Sequence, residues 1–421
     1  MKQQDSAAYR SEEPVFAAVK DSIAPVIYMF ALHIVRRAQA LNIKRLYFFS
    51  RDGYSVMRAA EEICRKENIS LEMTYFYCSR YSLRMAAYRF KDSCAYEKLF
   101  CESYRMSPKN ILMRAGLDEN ERLTVYKDLN LEASVEDELM DRSRANDFCG
   151  RLRGSECFER ILTQKSDRAY AAAEEYFRQC GMDEYDHIGV VDLGWTGSMQ
   201  YTLKRLLESC KINCRITGFY LGLLEEPLNY PDSIYEPWLF EGGKNSFIKA
   251  WFSQNLLECI CTAPHGMTTG YEKTETGITP VFAENENDPE LIRRLSDIMA
   301  EYARQASGFE YNVKRNRKAA IRKLKGLMFT PCKETAESFA AFGFCDDISE
   351  CYHGSLCGKM TAKQFSDCFF RRKGTVRPYW FYGALARSGL FPKMLYRYLY
   401  YFSEAARYFI VTNKKRVNNN G

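Results

Sequence analysis

The sequence predicts an α/β fold: a parallel sheet interrupted by a helical insertion and followed by a helical, basic and aromatic C-terminal region. Three observations predict it. Residues 45–67 and 187–207 each read as an apolar strand, a polar loop carrying glycine, and an amphipathic helix. Residues 71–77 (LEMTYFY) form another β-rich run, which leads into Ser79-Arg80 much as the first strand leads into Ser50-Arg51. Residues 91–181 then break the alternation with mixed-charge sequence of helical character. The expected divisions are an α/β core at 1–90 and 182–270, an insertion at 91–181 and a C-terminal region at 271–421.

Taken in order, residues 22–41 (SIAPVIYMFALHIVRRAQAL) predict an amphipathic helix with a very apolar first half, and His33 on it reads as a packed or capping side chain. No uncharged apolar run reaches the roughly eighteen residues of a membrane span, so none is expected. Residues 45–49 (RLYFF) are the first strand, Ser50-Arg51-Asp52-Gly53-Tyr54-Ser55 its loop, and 56–67 the helix, with Asp52 or Ser55 as cap. Residues 166–180 lead as a helix into the strand at 188–191. A further core strand is expected at 215–223 (RITGFYLGL) and an edge strand at 235–240. Residues 247–260 predict one apolar helix containing a lone acid, Glu258, before a Pro264-His265-Gly266 turn. From 290 onward the chain reads as helices, ending in 379–410, where Tyr, Phe and Trp alternate with Arg and Lys as in helices that lie at membrane interfaces.

The stretch HIGVVDLGWTGSMQYTLKRLL, residues 187–207, carries the most chemistry. Asp192 ends the strand and Gly194-Trp195-Thr196-Gly197-Ser198 opens a helix. Glycines let backbone amides approach a ligand, and the helix dipole favours an anion there. An aspartate just before such a loop suits a metal or sugar hydroxyls. Arg51 at another helix mouth can grip two phosphate oxygens at once. Carboxyl ends of parallel strands form the ligand crevice of an open sheet, so Arg51, Arg80 and Asp192 are expected around one cleft. Glu258 and His265 are further candidates for a base or an orienting group.

Composition narrows the classes. With 27% charged and 14% aromatic residues the chain is globular, and its net charge of +6 is concentrated toward the C-terminal end, which suits an anionic partner. No nucleic-acid-binding module or stacking platform is present, so nucleic acid is not an expected partner. Sixteen scattered cysteines in a chain opened by a polar segment read as reduced thiols. Cys345, Cys351, His353 and Cys357 lack a CxxC pair and read as thiols of a helical region, with zinc as the lesser alternative.

The order strand, Ser50-Arg51-Asp52-Gly53 loop, helix, strand, insertion, strand, DLGWTGS loop, helix, strand is similar to the type I phosphoribosyltransferases, which have a Rossmann-like parallel sheet. Matched at Thr196-Gly197, Asp192 takes the second acidic position of that family's loop, which contacts the ribose hydroxyls. Gly194 and its neighbours through Ser198 would cradle the 5-phosphate. The Ser50–Gly53 loop would hold pyrophosphate, with Arg51 as an extra clamp. Val191 stands where the family has its first acid, and Met199 where it has its last hydroxyl. The segments FFSRDGYSVM, YFYCSRYSLR and VVDLGWTGSMQ also resemble a region found downstream of haloacid-dehalogenase-type domains in bacterial surface-polysaccharide proteins. Asp192-Leu193-Gly194 lacks the second aspartate of that phosphatase's own signature.

These resemblances imply a glycosyltransferase using 5-phosphoribosyl diphosphate (PRPP) and magnesium. It would place a phosphoribosyl group on a glycan acceptor, expected to be lipid-linked, in capsule or O-antigen synthesis, and a separate dehalogenase-type phosphatase would then leave ribofuranose. Asp192 would orient the ribose and hold the metal, while Asp52 or Glu258 would take the acceptor proton. Ser50, Arg51, Gly53, Ser79, Arg80, Gly194, Trp195, Thr196, Gly197, Ser198 and His265 would line the substrate site. The expected location is cytoplasmic, at the inner face of the membrane. The alternatives are a sugar-phosphate phosphohydrolase of the dehalogenase type and a non-catalytic module binding PRPP or glycan within a capsule-assembly complex.

Overall fold

The computed structural model describes residues 13–92, 106–284, 288–306, 310–345, 353–372 and 375–419. The chain is α/β, built on a five-stranded, wholly parallel sheet in the order β2-β1-β3-β4-β5. The strands are β1 (Arg45–Phe49), β2 (Glu72–Phe76), β3 (His187–Asp192), β4 (Arg215–Tyr220) and β5 (Ser233–Pro237). Leu46 and Phe48 enter one hydrophobic cluster and Tyr47 and Phe49 another, so both faces of β1 are buried. That is why RLYFF shows no polar alternation.

One face is covered by α1 (Ala24–Ala40) and α2 (Gly53–Glu67), the other by α3 (Arg80–Ala87). The insertion supplies α4 (Pro108–Arg114), α5 (Glu119–Asp128), α6 (Arg142–Arg153) and the long α7 (Glu156–Gln179), which gather a third cluster around Ile111, Val125, Phe148 and Phe158. The helix α8 (Ser198–Ser209) follows β3 on the α3 face. Its Lys204 is buried, and its ammonium bonds the Cys214 carbonyl at 2.7 Å and Glu208 at 3.1 Å.

The apolar segment near the N-terminus, in which no membrane span was expected, belongs to a longer helix. A continuous helix runs Glu13–Ala40, with a π-helical turn at Val19–Ile23, and by length and composition it is long and apolar enough to cross a membrane. In the structure it is the central core helix, with Val26, Ile27, Phe30 and Ile34 wholly buried. It packs on α2 and on α11 (Pro289–Gln305) and α12 (Val313–Phe329), which lie later in the chain. His33 stacks on Trp238 and bonds the Tyr311 hydroxyl at 2.9 Å, and burial pushes its imidazole down to about 4. It is a packed histidine, as its position on an apolar helix implied.

Three further expectations change. Residues 247–260 are not one helix but two, α9 (Ser246–Lys249) and α10 (Gln254–Ile260), because Ser253 takes an extended conformation and its hydroxyl caps the second by accepting from the Leu256 amide. The edge strand lies two residues earlier than expected, at Ser233–Pro237. The region expected to be helical from 271 onward is not all helical: β6 (Thr268–Thr274) and β7 (Gly277–Phe282) form an antiparallel hairpin against α7 and α3. Beyond α11 and α12 come α13 (Lys333–Phe339), the short pair β8 (Gly343–Cys345) and β9 (His353–Ser355), α14 (Ala362–Phe369), α15 (Phe381–Arg387) and α16 (Lys393–Asn419). Trp380, Leu385 and Cys368 of this region share the α1-side core. Cys351 lies outside the described residues, while Cys357 is buried with its thiol donating to the Ala336 carbonyl at 3.2 Å.

Candidate functional site

β1 passes to β2 on one side of the sheet, and β3 lies on its other side. Chains leaving adjacent strands in opposite directions open a crevice at their carboxyl ends, where open α/β sheets bind ligands. Here the crevice lies between Ser50-Arg51-Asp52 after β1 and Leu193-Gly194-Trp195 after β3, with Cys78-Ser79-Arg80 after β2 beside it. The three expected segments therefore meet. The Ser50–Arg51 and Gly194–Trp195 peptide bonds are both cis.

Three acids gather in it. Asp192 ends β3, buried at 7% exposed, and its carboxylate accepts from the amides of Leu193 and Gly194. Burial, then the charge of Glu258, pushes its carboxyl up to about 7 against the pull of those amides and of Arg80. Asp52 is partly open to solvent, yet burial, with Glu258 and Asp192 nearby, raises it well above the usual aspartate range despite Arg51 and Arg80. Asp52 does not cap α2, as the sequence had implied it could, and Ser55 does not either: its hydroxyl is buried without a hydrogen-bond partner. Among the described residues nothing hydrogen-bonds the Asp52 carboxylate. Glu258 arrives from α10, and the Trp195 indole N–H donates to it at 2.6 Å.

The two arginines differ from most others in the chain. Arg51 is partly exposed and Arg80 exposed, and neither guanidinium has an ion pair or hydrogen bond among the described residues. Both nevertheless act electrostatically on Asp52. The paired serines do something else. Ser50 donates to the Cys78 carbonyl at 2.7 Å and accepts from the Cys78 amide at 3.0 Å, tying the ends of β1 and β2 together. Ser79 caps α3, accepting from the Ser82 amide, and donates to the Thr268 carbonyl at 2.6 Å. Each serine's proton is thus engaged within the protein, in a tie between strand ends for Ser50 and beside a helix cap for Ser79.

The glycine loop also divides. Its chain runs on beside the end of β4, with the Gly222 amide on the Leu193 carbonyl at 3.2 Å and the Leu224 amide on the Trp195 carbonyl at 2.7 Å. Trp195 is expected to line the substrate site but is instead buried against Phe252 and Phe240, positioning Glu258. Gly53 is the first residue of α2 and lies so close to Phe48 that a β-carbon would stand 2.9 Å from its backbone. Gly197 caps α8 at φ +69°, and a β-carbon there would meet the Tyr235 ring at 2.8 Å. Thr196 is exposed at this helix mouth and Ser198 partly so, with their hydroxyls bonded to each other at 3.1 Å.

His265 is held at both ring nitrogens. Its Nδ1 donates to the Gly266 carbonyl at 2.8 Å, and its Nε2 lies 2.9 Å from the Tyr75 hydroxyl. Burial lowers its pKa, opposed by the Gly266 contact. The ring belongs to an aromatic wall that sequence reasoning missed. Tyr75 and Tyr77 stand 4.9 Å apart, His265 lies 4.8 Å from Phe282, and Tyr54 completes the group 5.6 Å from Tyr75. Phe282 comes from the hairpin, whose β-branched residues around the Glu275-Thr276 turn were the available signal. Among the described residues no three His, Cys, Asp or Glu side chains are placed to hold one metal ion.

A scan against protein-family models and a search of curated proteins find no match to this chain.

Proposed function

We propose that this chain is a phosphoribosyltransferase-type glycosyltransferase, taking PRPP as donor and a sugar hydroxyl as acceptor. One observation carries the reading: two guanidinium groups without an ion pair among the described residues, Arg51 and Arg80, flank acids at the sheet's switch point, beside the open mouth of α8. A sugar bearing phosphates at both ends needs this division of charge. Arg51 and Arg80 face the diphosphate, whose departure they assist as charge develops on it. Thr196, Ser198 and the first amides of α8 take the 5-phosphate. Asp192, oriented by its two amides, takes a ribose hydroxyl at the end of β3.

In the reaction the C1–O bond to diphosphate breaks and a bond from the acceptor oxygen to C1 forms. The acceptor proton passes to a carboxylate. Asp52 suits that role best of the three acids: its carboxylate is held by no hydrogen bond among the described residues and is free to accept a proton. Glu258 is held by Trp195 and is the lesser candidate. Asp192 fits magnesium as a partial ligand, since this ion is commonly held by one or two carboxylates and substrate phosphates. When bound it supplies charge neutralisation at the diphosphate. The aromatic wall offers the acceptor's apolar ring face a stacking surface. A separate phosphatase would remove the remaining 5-phosphate, and the acceptor class is a glycan of surface-polysaccharide synthesis.

The test is diphosphate release from PRPP and magnesium with a panel of glycan acceptors. Turnover should occur, and Arg51→Ala or Arg80→Ala should weaken PRPP binding about tenfold or more, the scale of a lost charge-assisted contact, with an unchanged melting temperature. Absence of both PRPP binding and turnover overturns the proposal. Phosphate release from a generic ester would instead mark a phosphohydrolase, and PRPP binding without turnover a regulatory module.

A further inference from the structure

The last helix carries an apolar face that nothing in the described structure covers. Met394, Leu395, Tyr398, Leu399, Phe402 and Phe409 of α16 each expose between 42% and 64% of their surface. At about 100° per residue these positions occupy one sector of the helix, about 140° wide. The opposite side packs normally: Tyr400 and Glu404 are buried, and Arg397 reaches inward over the Phe329 ring at 5.8 Å. Phe370 and Phe247 extend the exposed patch, Phe370 preceding Arg371, which bonds Glu404 of α16 at 3.1 Å, and Phe247 lying 6.4 Å from Tyr401. Contiguous apolar surface of this kind marks an interaction site.

Charge selects the occupant. Residues 393–419 contain six Lys or Arg and a single acid, Glu404, which is buried and ion-paired with Arg371 and Arg407. The helix therefore keeps a net positive charge. A second copy of this face would bring like charges together, whereas an anionic bilayer surface would attract them. We propose that α16 is an in-plane membrane-docking helix, its apolar stripe entering the headgroup–acyl boundary of an anionic leaflet. This inference goes beyond the donor chemistry and stands whatever the crevice binds.

The placement has a consequence for the crevice. α16 packs on α9, whose Lys249 donates to the Leu224 carbonyl at 2.9 Å, and the Leu224 amide in turn bonds Trp195 of the glycine loop. Docking through α16 therefore sets the lipid surface close to the end of the sheet where the acids and arginines lie. An acceptor carried on a lipid would be presented there.

The test uses the full chain in co-sedimentation with vesicles of phosphatidylcholine alone and vesicles in which about a third of the lipid is phosphatidylglycerol. The anionic vesicles should bind at least about tenfold more tightly, and raised salt should weaken them. Leu395→Ser/Phe402→Ser should lose about tenfold or more in vesicle affinity, since it removes two large apolar groups from the surface that enters the lipid. Both side chains are exposed, so the variant should melt as the parent does, and PRPP binding in solution should be unchanged. Equal binding by parent and variant, or no vesicle binding, overturns the proposal. So does a concentration-dependent dimer in light scattering that the variant abolishes, which would make the patch a self-association surface.

Discussion

Asp192 illustrates how one residue type takes different jobs within a few ångströms. Two amides stabilise its ionised form, but burial and the neighbouring Glu258 outweigh them and push its carboxyl up to about 7. A raised carboxyl pKa makes the ionised form the costly one. The stability it lends is complete below the ordinary aspartate value near ~4 and is lost as pH rises through about 7. Asp192→Asn cannot ionise, so it should gain on the parent protein by a few kcal/mol between pH ~5 and pH ~8. Urea unfolding of both proteins at the two pH values checks this, and parallel behaviour would sink it. The arginines and serines show the same dependence on surroundings. Ser50 and Ser79 spend their hydrogen bonds inside the protein, while Arg51 and Arg80, adjacent to them in sequence, make no hydrogen bond or ion pair among the described residues.

At the scale of elements, the β3–α8 turn does two things at once. Its chain extends the sheet's pairing through Leu193 and Trp195, then reverses into a helix through a left-handed residue at Gly197. The second step demands glycine, both for φ +69° and because Tyr235 stands over it. Gly197→Ala should destabilise the protein by about 1–2 kcal/mol or more, from the left-handed conformation alone. A lowered urea midpoint with unchanged slope would show it; an unchanged midpoint would mean Tyr235 and the loop yield without cost. Strand β1, strand β3 and the helices after them were legible because their apolar periods are unmixed. The β6–β7 hairpin was not, because Thr, Glu and Lys dominate β6 and its stability comes from docking on α7, α3 and the ends of β1 and β2. With it, Phe282 and the aromatic wall went unseen.

At the scale of the molecule, the helix ending at Ala40 is the piece around which distant parts assemble. It touches α2 from the sheet's own unit and α11 and α12 from far along the chain. Phe30, wholly buried and stacked on Trp238, should cost about 3–5 kcal/mol when changed to Ala. The loss should appear as one cooperative transition shifted to lower denaturant, because the α1-side core runs without interruption into the C-terminal region. Two separate transitions would show instead that the C-terminal region folds independently of α1. The apolar composition of this helix also shows why hydropathy alone misleads here: length and composition match a membrane span, but the partners that bury it are protein. By contrast α16 is less apolar and displays its apolar side outward.

By itself the sequence determined the α/β class, the strand–loop–helix units and the chemistry of the loops, because periodicity, glycine and strand-end acids are local properties. Tertiary structure decided which of the loop residues face the crevice. That choice depends on non-local partners: Cys78 and Thr268 engage the serines, Phe252 and Phe240 draw Trp195 inward, and Glu258 and Asp192 raise Asp52 from segments far apart in the chain.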